Sequence, residues 1–182
     1  ASGTNFNAIM DFADLGSGTY LGVGCFANDA NTQTTLNTVR STDSGATWAL
    51  YSNIDAPTAG VAYFRVLRLA SGRLVAGRTY TNQIALAYSD DAGATWAFAA
   101  NLPGVVNAAD GGRIITALAE CAPSVIVCTG AMIAETGSLN RTLSIWRSLD
   151  GGNNWSRIAN ASILAHPTAN NNVSAGLIAR VS

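Results

Sequence analysis

Lysine is missing from this chain altogether, and all ten of its cationic residues are arginines. With one histidine, 12% charged residues and a net charge of −1, the sequence carries no concentration of positive charge. A basic footprint for nucleic acid or an anionic membrane is therefore excluded. No apolar run reaches the roughly 18 to 20 residues that a membrane-spanning helix needs. Glutamate occurs only as Glu120 and Glu135, which leaves few acids outside the aspartates. Three cysteines, Cys25, Cys121 and Cys128, make an odd set that no disulfide framework uses up. Cys121 and Cys128 flank a turn at Ala122-Pro123-Ser124 that would not set them opposite each other, and all three read as small buried apolar residues. Nearly half of the 182 residues are apolar, enough to bury the core of one domain and too many for a disordered chain. The chain opens Ala1-Ser2-Gly3 without an initiator methionine, which reads as a processed chain or a part of a longer one.

What the sequence does contain is an eight-residue box, three times over. Its copies are Ser41-Thr42-Asp43-Ser44-Gly45-Ala46-Thr47-Trp48, Ser89-Asp90-Asp91-Ala92-Gly93-Ala94-Thr95-Trp96 and Ser148-Leu149-Asp150-Gly151-Gly152-Asn153-Asn154-Trp155. The shared pattern is S-x-D-x-G-x-[TN]-W, and each type suits a tight hairpin. The Asp carboxylate accepts from N–H groups of its own turn. The Gly takes a positive φ. The Trp opens the next strand and buries a large ring, with an indole N–H to satisfy.

Around each box the same order of elements recurs. The first unit reads as strands Phe6 to Phe12, Tyr20 to Ala27, Thr35 to Arg40 and Trp48 to Ile54. The second reads as Tyr63 to Leu69, Arg73 to Thr79, Gln83 to Tyr88 and Trp96 to Leu102, and the third as Arg113 to Ala119, Val125 to Met132, Arg141 to Arg147 and Trp155 to Ile158. Val173 to Ser182 aligns with Val61 to Ala70, setting Arg180 under Arg68. No sustained 3.6-residue period appears, so the expected class is all-β. Four-stranded repeats of this length are propeller blades, here about 4–54, 61–102 and 112–160, with the first strand of a further blade at about 173–182.

The box resembles the Asp box, or bacterial neuraminidase repeat, of the sialidase (neuraminidase) superfamily, and the resemblance covers all three units. It implies antiparallel blades in which the box joins the third and fourth strands on the outer rim, and a closed ring of six blades of which this chain is half. Further blades are then expected, from the same chain or from a second copy. It also implies structural roles for Ser41, Asp43, Gly45, Trp48, Ser89, Asp91, Gly93, Trp96, Ser148, Asp150, Gly152 and Trp155.

A sialidase site, by the same resemblance, holds three arginines on a substrate carboxylate, an acid/base and a Tyr–Glu nucleophile pair. Arg suits the carboxylate because it donates two parallel charged hydrogen bonds. Here Phe64-Arg65-Val66-Leu67 only partly matches the family's Phe/Tyr-Arg-Ile-Pro motif. Arg65, Arg68, Arg113 and Arg180 fall on first strands, and Glu120 ends one, so these five are the candidates for ligand contact. No Tyr has an evident Glu partner, and His166 stands alone in a polar loop. Patterns for a zinc site, a Ser-His-Asp triad or a phosphate loop are absent, so no metal or cofactor is expected. Sequons at Asn140, Asn154, Asn160 and Asn172 fit a chain rich in Asn, Ser and Thr, although a glycan on Asn154 would disturb its box.

Two functional readings remain open. One is a non-catalytic module for glycan or receptor recognition, or for assembly, on a virion, phage tail or cell surface. The other is a segment of an exo-sialidase whose catalytic residues lie partly outside this chain. Glucan hydrolases and photosystem assembly factors that carry the same box form a third group.

Overall fold

The computed structural model describes residues 8–27, 34–54, 62–80, 83–100, 114–133 and 141–158. Within them the chain forms twelve strands and no helix: β1 (Ala8–Gly16), β2 (Thr19–Ala27), β3 (Thr34–Ser41), β4 (Ala49–Leu50), β5 (Ala62–Arg68), β6 (Leu74–Tyr80), β7 (Gln83–Ser89), β8 (Ala97–Phe98), β9 (Ile114–Ala122), β10 (Val125–Ile133), β11 (Arg141–Ser148) and β12 (Ser156–Arg157). They build three antiparallel sheets in plain meander order, β1-β2-β3-β4, β5-β6-β7-β8 and β9-β10-β11-β12. The fold is all-β, three blades of a β-propeller, with the first strands β1, β5 and β9 adjacent at the centre.

Strand alternation explains how the blades stack. On β6, Leu74 and Ala76 face the first blade while Val75 faces the third, and on β7 Ala87 and Leu86 divide the same way. One core cluster therefore joins blades one and two through Ala13, Leu21, Val23, Val66 and Leu74. The other joins blades two and three through Val75, Leu86, Ile115, Ile126, Trp146 and Trp155. The middle blade is buried on both faces, which is why β6 begins as the unbroken apolar run Leu74-Val75-Ala76.

Register makes the three blades equivalent residue by residue. Gly22 lies opposite Phe12 and Val39, Ala76 opposite Val66 and Ala87, and Cys128 opposite Leu118 and Trp146. Each innermost strand also carries a bulge at the same place, on Met10, Phe64 and Thr116. An extra residue there leaves backbone groups outside the ladder and sharpens the local twist.

Several expectations need correction. The fourth strands are two residues each, shorter than the seven, seven and four expected, because the regular ladder breaks beyond them and goes on only in irregular bonds such as Tyr51 N–H to Thr38 O, Ala99 N–H to Leu86 O and Ile158 N–H to Ile145 O. Strand β1 runs on to Gly16, and positive φ at Gly16, Ser17 and Gly18 turns the chain into β2. Cys121 is exposed, not buried: it is the residue left over by a second register shift beside the Ala122-Pro123-Ser124 turn. Cys128 is buried, with no thiol opposite it, and its surroundings hold the thiol pKa far above the ordinary range by desolvation alone. Nor does every box Trp bury its ring: Trp155 is 4% exposed but Trp48 is 36% exposed. The side chain of Cys25 and the whole of 173–182 lie outside the described residues.

Candidate functional site

Each box closes on itself through the same bonds. The Ser41 hydroxyl donates to Asp43 Oδ1 at 2.7 Å and accepts from Gly45 N–H at 2.9 Å. Asp43 in turn accepts from the Thr47 N–H at 2.8 Å and from the Thr47 hydroxyl. Trp48 Nε1 donates to Gly45 O at 3.1 Å. Ser89, Asp91, Gly93, Thr95 and Trp96 repeat this set, and so do Ser148, Asp150, Gly152, Asn154 and Trp155, with the Asn154 amide replacing the Thr hydroxyl. A glycan on Asn154 would compete for that amide bond to Asp150, 2.7 Å long. Gly45, Gly93 and Gly152 sit at φ of 87°, 87° and 95°, as the turn requires. The residue before each is left-handed too: Ser44, Ala92 and Gly151.

These bonds decide the electrostatics. The Thr47 hydroxyl and N–H, with the Ser41 hydroxyl, pull the Asp43 carboxyl from an ordinary 3.8 down to about 2. The Thr95 hydroxyl and N–H likewise hold the Asp91 carboxyl below its ordinary value. At Asp150 partial desolvation raises the pKa, but donation from Asn154 and Ser148 outweighs it and the net direction is downward. All three are acceptors in an ionised state, the reverse of a carboxylic acid kept protonated to act as a proton donor.

Two predictions arise here. Because folding lowers the Asp43 pKa, its ionised form favours the folded state above the ordinary carboxylate range, and that contribution disappears as pH falls from about 4 to about 2. The urea midpoint should therefore drop across this window, and Asp43→Asn should flatten part of the drop. Ala92 holds φ 57° where the third box has Gly151 at 69°. Ala92→Gly should raise stability by about 0.5 kcal/mol, relief of left-handed strain exceeding the extra freedom of the unfolded chain. Thermal melts of the two proteins check it.

Three of the five ligand-contact candidates, Arg65, Arg68 and Glu120, are described, all on innermost strands, and each bonds to backbone groups rather than to another of the three. Asp14, Arg68 and Glu120 are equivalent in register, opposite Tyr20, Leu74 and Ile126, at one end of β1, β5 and β9. Arg68 Nη1 lies 3.5 Å from Asp14 O. Glu120 accepts from the Ala70 N–H at 2.7 Å and the Ser124 N–H at 3.1 Å, bridging blade two to the turn of blade three. Arg65 Nε donates to Thr116 O, 2.7 Å away, the carbonyl of the next blade's bulge. Asp11 does the corresponding work one blade earlier, accepting from Val66 N–H at 3.1 Å. Arg113 and Arg180 lie outside the described residues, as does His166.

Reading the sequence did not single out Arg73. It forms a two-point ion pair with Asp90 (2.6 and 2.8 Å), donates to Gly151 O and Asn153 Oδ1, and lies over the Tyr88 ring. Beside it is a cleft of about 470 Å³ lined by Ser71, Asp90, Ser124, Asp150 and Asn153 among others. A signal existed: an Arg directly after the Ser71-Gly72 turn, just ahead of β6, which pairs with the strand that leads into the Asp90-Asp91 box.

Among the described residues every carboxylate is an acceptor in such a bond: Asp11, Asp14, Asp43, Asp90, Asp91, Glu120 and Asp150. None forms a cluster of three or more metal-ligating side chains.

No protein-family model and no curated protein matches the chain. Solved structures do. The α-L-arabinofuranosidase Arb93A of Fusarium graminearum matches 80% of this chain at 17% identity with a TM-score of 0.56, over 46% of its own length. The GH74 xyloglucanase of Xanthomonas campestris matches 78% at 17% identity and 0.53, over 19% of its length. NanB sialidase of Streptococcus pneumoniae matches 67% at 21% identity and 0.47, over 18% of its length. The chain thus spans from under a fifth to under a half of these three solved structures, and the likeness is one of fold.

Proposed function

We propose that this chain is a sialidase-like propeller module that recognises a carbohydrate or a glycosylated receptor without hydrolysing it, in an extracellular, virion or cell-surface setting. The observation that carries this reading is the commitment of every described carboxylate to holding turns and blades together. Glycoside hydrolysis generally needs one carboxyl group kept as an acid and a second group free as nucleophile or base. Asp11, Asp14 and Glu120, the acids of the innermost strands, instead accept from backbone N–H groups of a neighbouring blade or of a turn. The exposed Arg68 and the cleft beside Arg73, lined by hydroxyl, amide and carboxylate groups, supply the polar contacts that a hydroxyl-rich ligand requires. The fold neighbours named above as a xyloglucanase and an arabinofuranosidase act on sugars, which supports carbohydrate as the ligand class.

The test pairs a fluorogenic sialoside with glycan-array binding. Binding without turnover is the expected result, and robust turnover would remove the proposal. The second reading, a segment of an exo-sialidase, is favoured by the small share of the matched enzymes that the chain spans. Activity that appears only when further blades are supplied would decide for it.

A further inference from the structure

Each internal blade contact is a knob in a notch. A methyl group placed on Gly93 of the second box would lie 2.8 Å from Leu21 Cδ2 of blade one, and one on Gly152 of the third box 3.1 Å from Val75 Cγ2 of blade two. Leu21 and Val75 are equivalent in register, opposite Arg40 and Tyr88, and the next residue in that series is Val127, opposite Arg147. Val127 is half-buried and points away from blade two, since Ile126 and Cys128 on either side of it face blade two. Among the described residues the notch left over is Gly45 of the first box, where an added methyl would meet no described atom within 4 Å.

The face around Gly45 is built like the two that are filled. Ile9, Val39 and Trp48 gather on Gly22, as a Cβ there would touch all three. Phe12, packed edge-on against Tyr20, is 58% exposed, whereas its equivalent Val66 is 7% exposed beneath blade one. Among the described residues, a notch without a knob and a knob without a notch thus stand on the first and the third blade.

We propose that this face receives the third blade of a second copy of the chain, with Val127 seated on Gly45 against Trp48 and Phe12. A second copy uses both leftover surfaces at once, which a foreign partner would not, and a net charge of −1 opposes the approach little. The contact is head-to-tail, so it closes a ring if the rotation allows and otherwise propagates. It is weaker than the internal contacts, because the residue equivalent to Asp11 and Arg65 in blade three is Ala117, which has no polar group to offer the neighbouring bulge.

The test is mass in solution by light scattering and sedimentation, from about 1 to about 500 µM, a range that brackets weak association. The mass should rise from 18.7 kDa toward twice that value or a higher multiple. Phe12→Glu on one face and Val127→Asp on the other should each hold the protein at the monomer mass, with Val127→Ala as the milder form and circular dichroism confirming the fold. An equimolar mixture of Phe12→Glu and Val127→Asp retains one intact contact and should return to twice the monomer mass and no further. A wild-type chain that stays at 18.7 kDa throughout overturns the proposal. So does association lost in Phe12→Glu but untouched by both Val127 variants, which would mean face-to-face pairing, and so does a mixture that fails to recover.

Discussion

Trp155→Ala should cost about 4 kcal/mol and Trp48→Ala about 1 kcal/mol, although the two residues hold the same position in the same box. The local term is common to both, since each indole N–H donates to the carbonyl of its box Gly at 3.0 to 3.1 Å. The surroundings differ. Trp155 packs with Leu69, Val75, Ile126 and Cys128 between blades two and three, so truncation opens a cavity that strands held by ladders on both sides cannot collapse. Trp48 is on a face that no blade of the described residues covers. Trp96, partly buried against the first cluster, should fall between them. Urea unfolding at low protein concentration, where no second copy covers Trp48, gives the comparison. Equal costs for all three would mean that the Trp acts only within its own turn.

Gly93→Ala against Gly45→Ala isolates the notch. Both glycines sit at φ 87°, so the left-handed strain of about 1 kcal/mol that an Ala incurs is shared and cancels in the difference. What remains is the clash of the new methyl with Leu21, at 2.8 Å from Cδ2 and 3.1 Å from Cδ1, on a side chain that is fully buried and has nowhere to move. Overpacking of this kind typically costs about 1 to 3 kcal/mol, and Gly93→Ala should exceed Gly45→Ala by about 2 kcal/mol. Thermal and chemical unfolding of the pair measures it. A difference near zero would mean that the box Gly is required for its backbone alone.

These two comparisons mark the line between what the sequence discloses and what it hides. The box is legible because all its residues act within one hairpin: Ser41, Asp43, Gly45 and Thr47 satisfy one another over a span of seven residues, and their types announce it. Alternation and turn residues likewise disclose three four-stranded units. The second job of Gly93 is invisible in the box because its partner, Leu21, belongs to another blade. The bulges are hidden for a related reason: Met10, Phe64 and Thr116 share no chemistry, and only the ladder register shows them equivalent. That hides the meaning of Arg65 as well. Its place on a first strand is readable, but the unladdered carbonyl of Thr116 that it satisfies is not. The exposure of Cys121 is hidden because it depends on a register shift, and that of the box tryptophans because burial depends on which blade stands in front.

The central proposal is that the described carboxyl groups are committed to holding turns and blades together, and the box aspartates to their own hairpins, rather than to hydrolysis. Carbon-detected NMR titration of the three box carboxyl groups tests it most directly. All three should titrate below the ordinary carboxylate range, with Asp43 near 2. A box aspartate titrating above that range, as an acid held ready to donate a proton would, contradicts it.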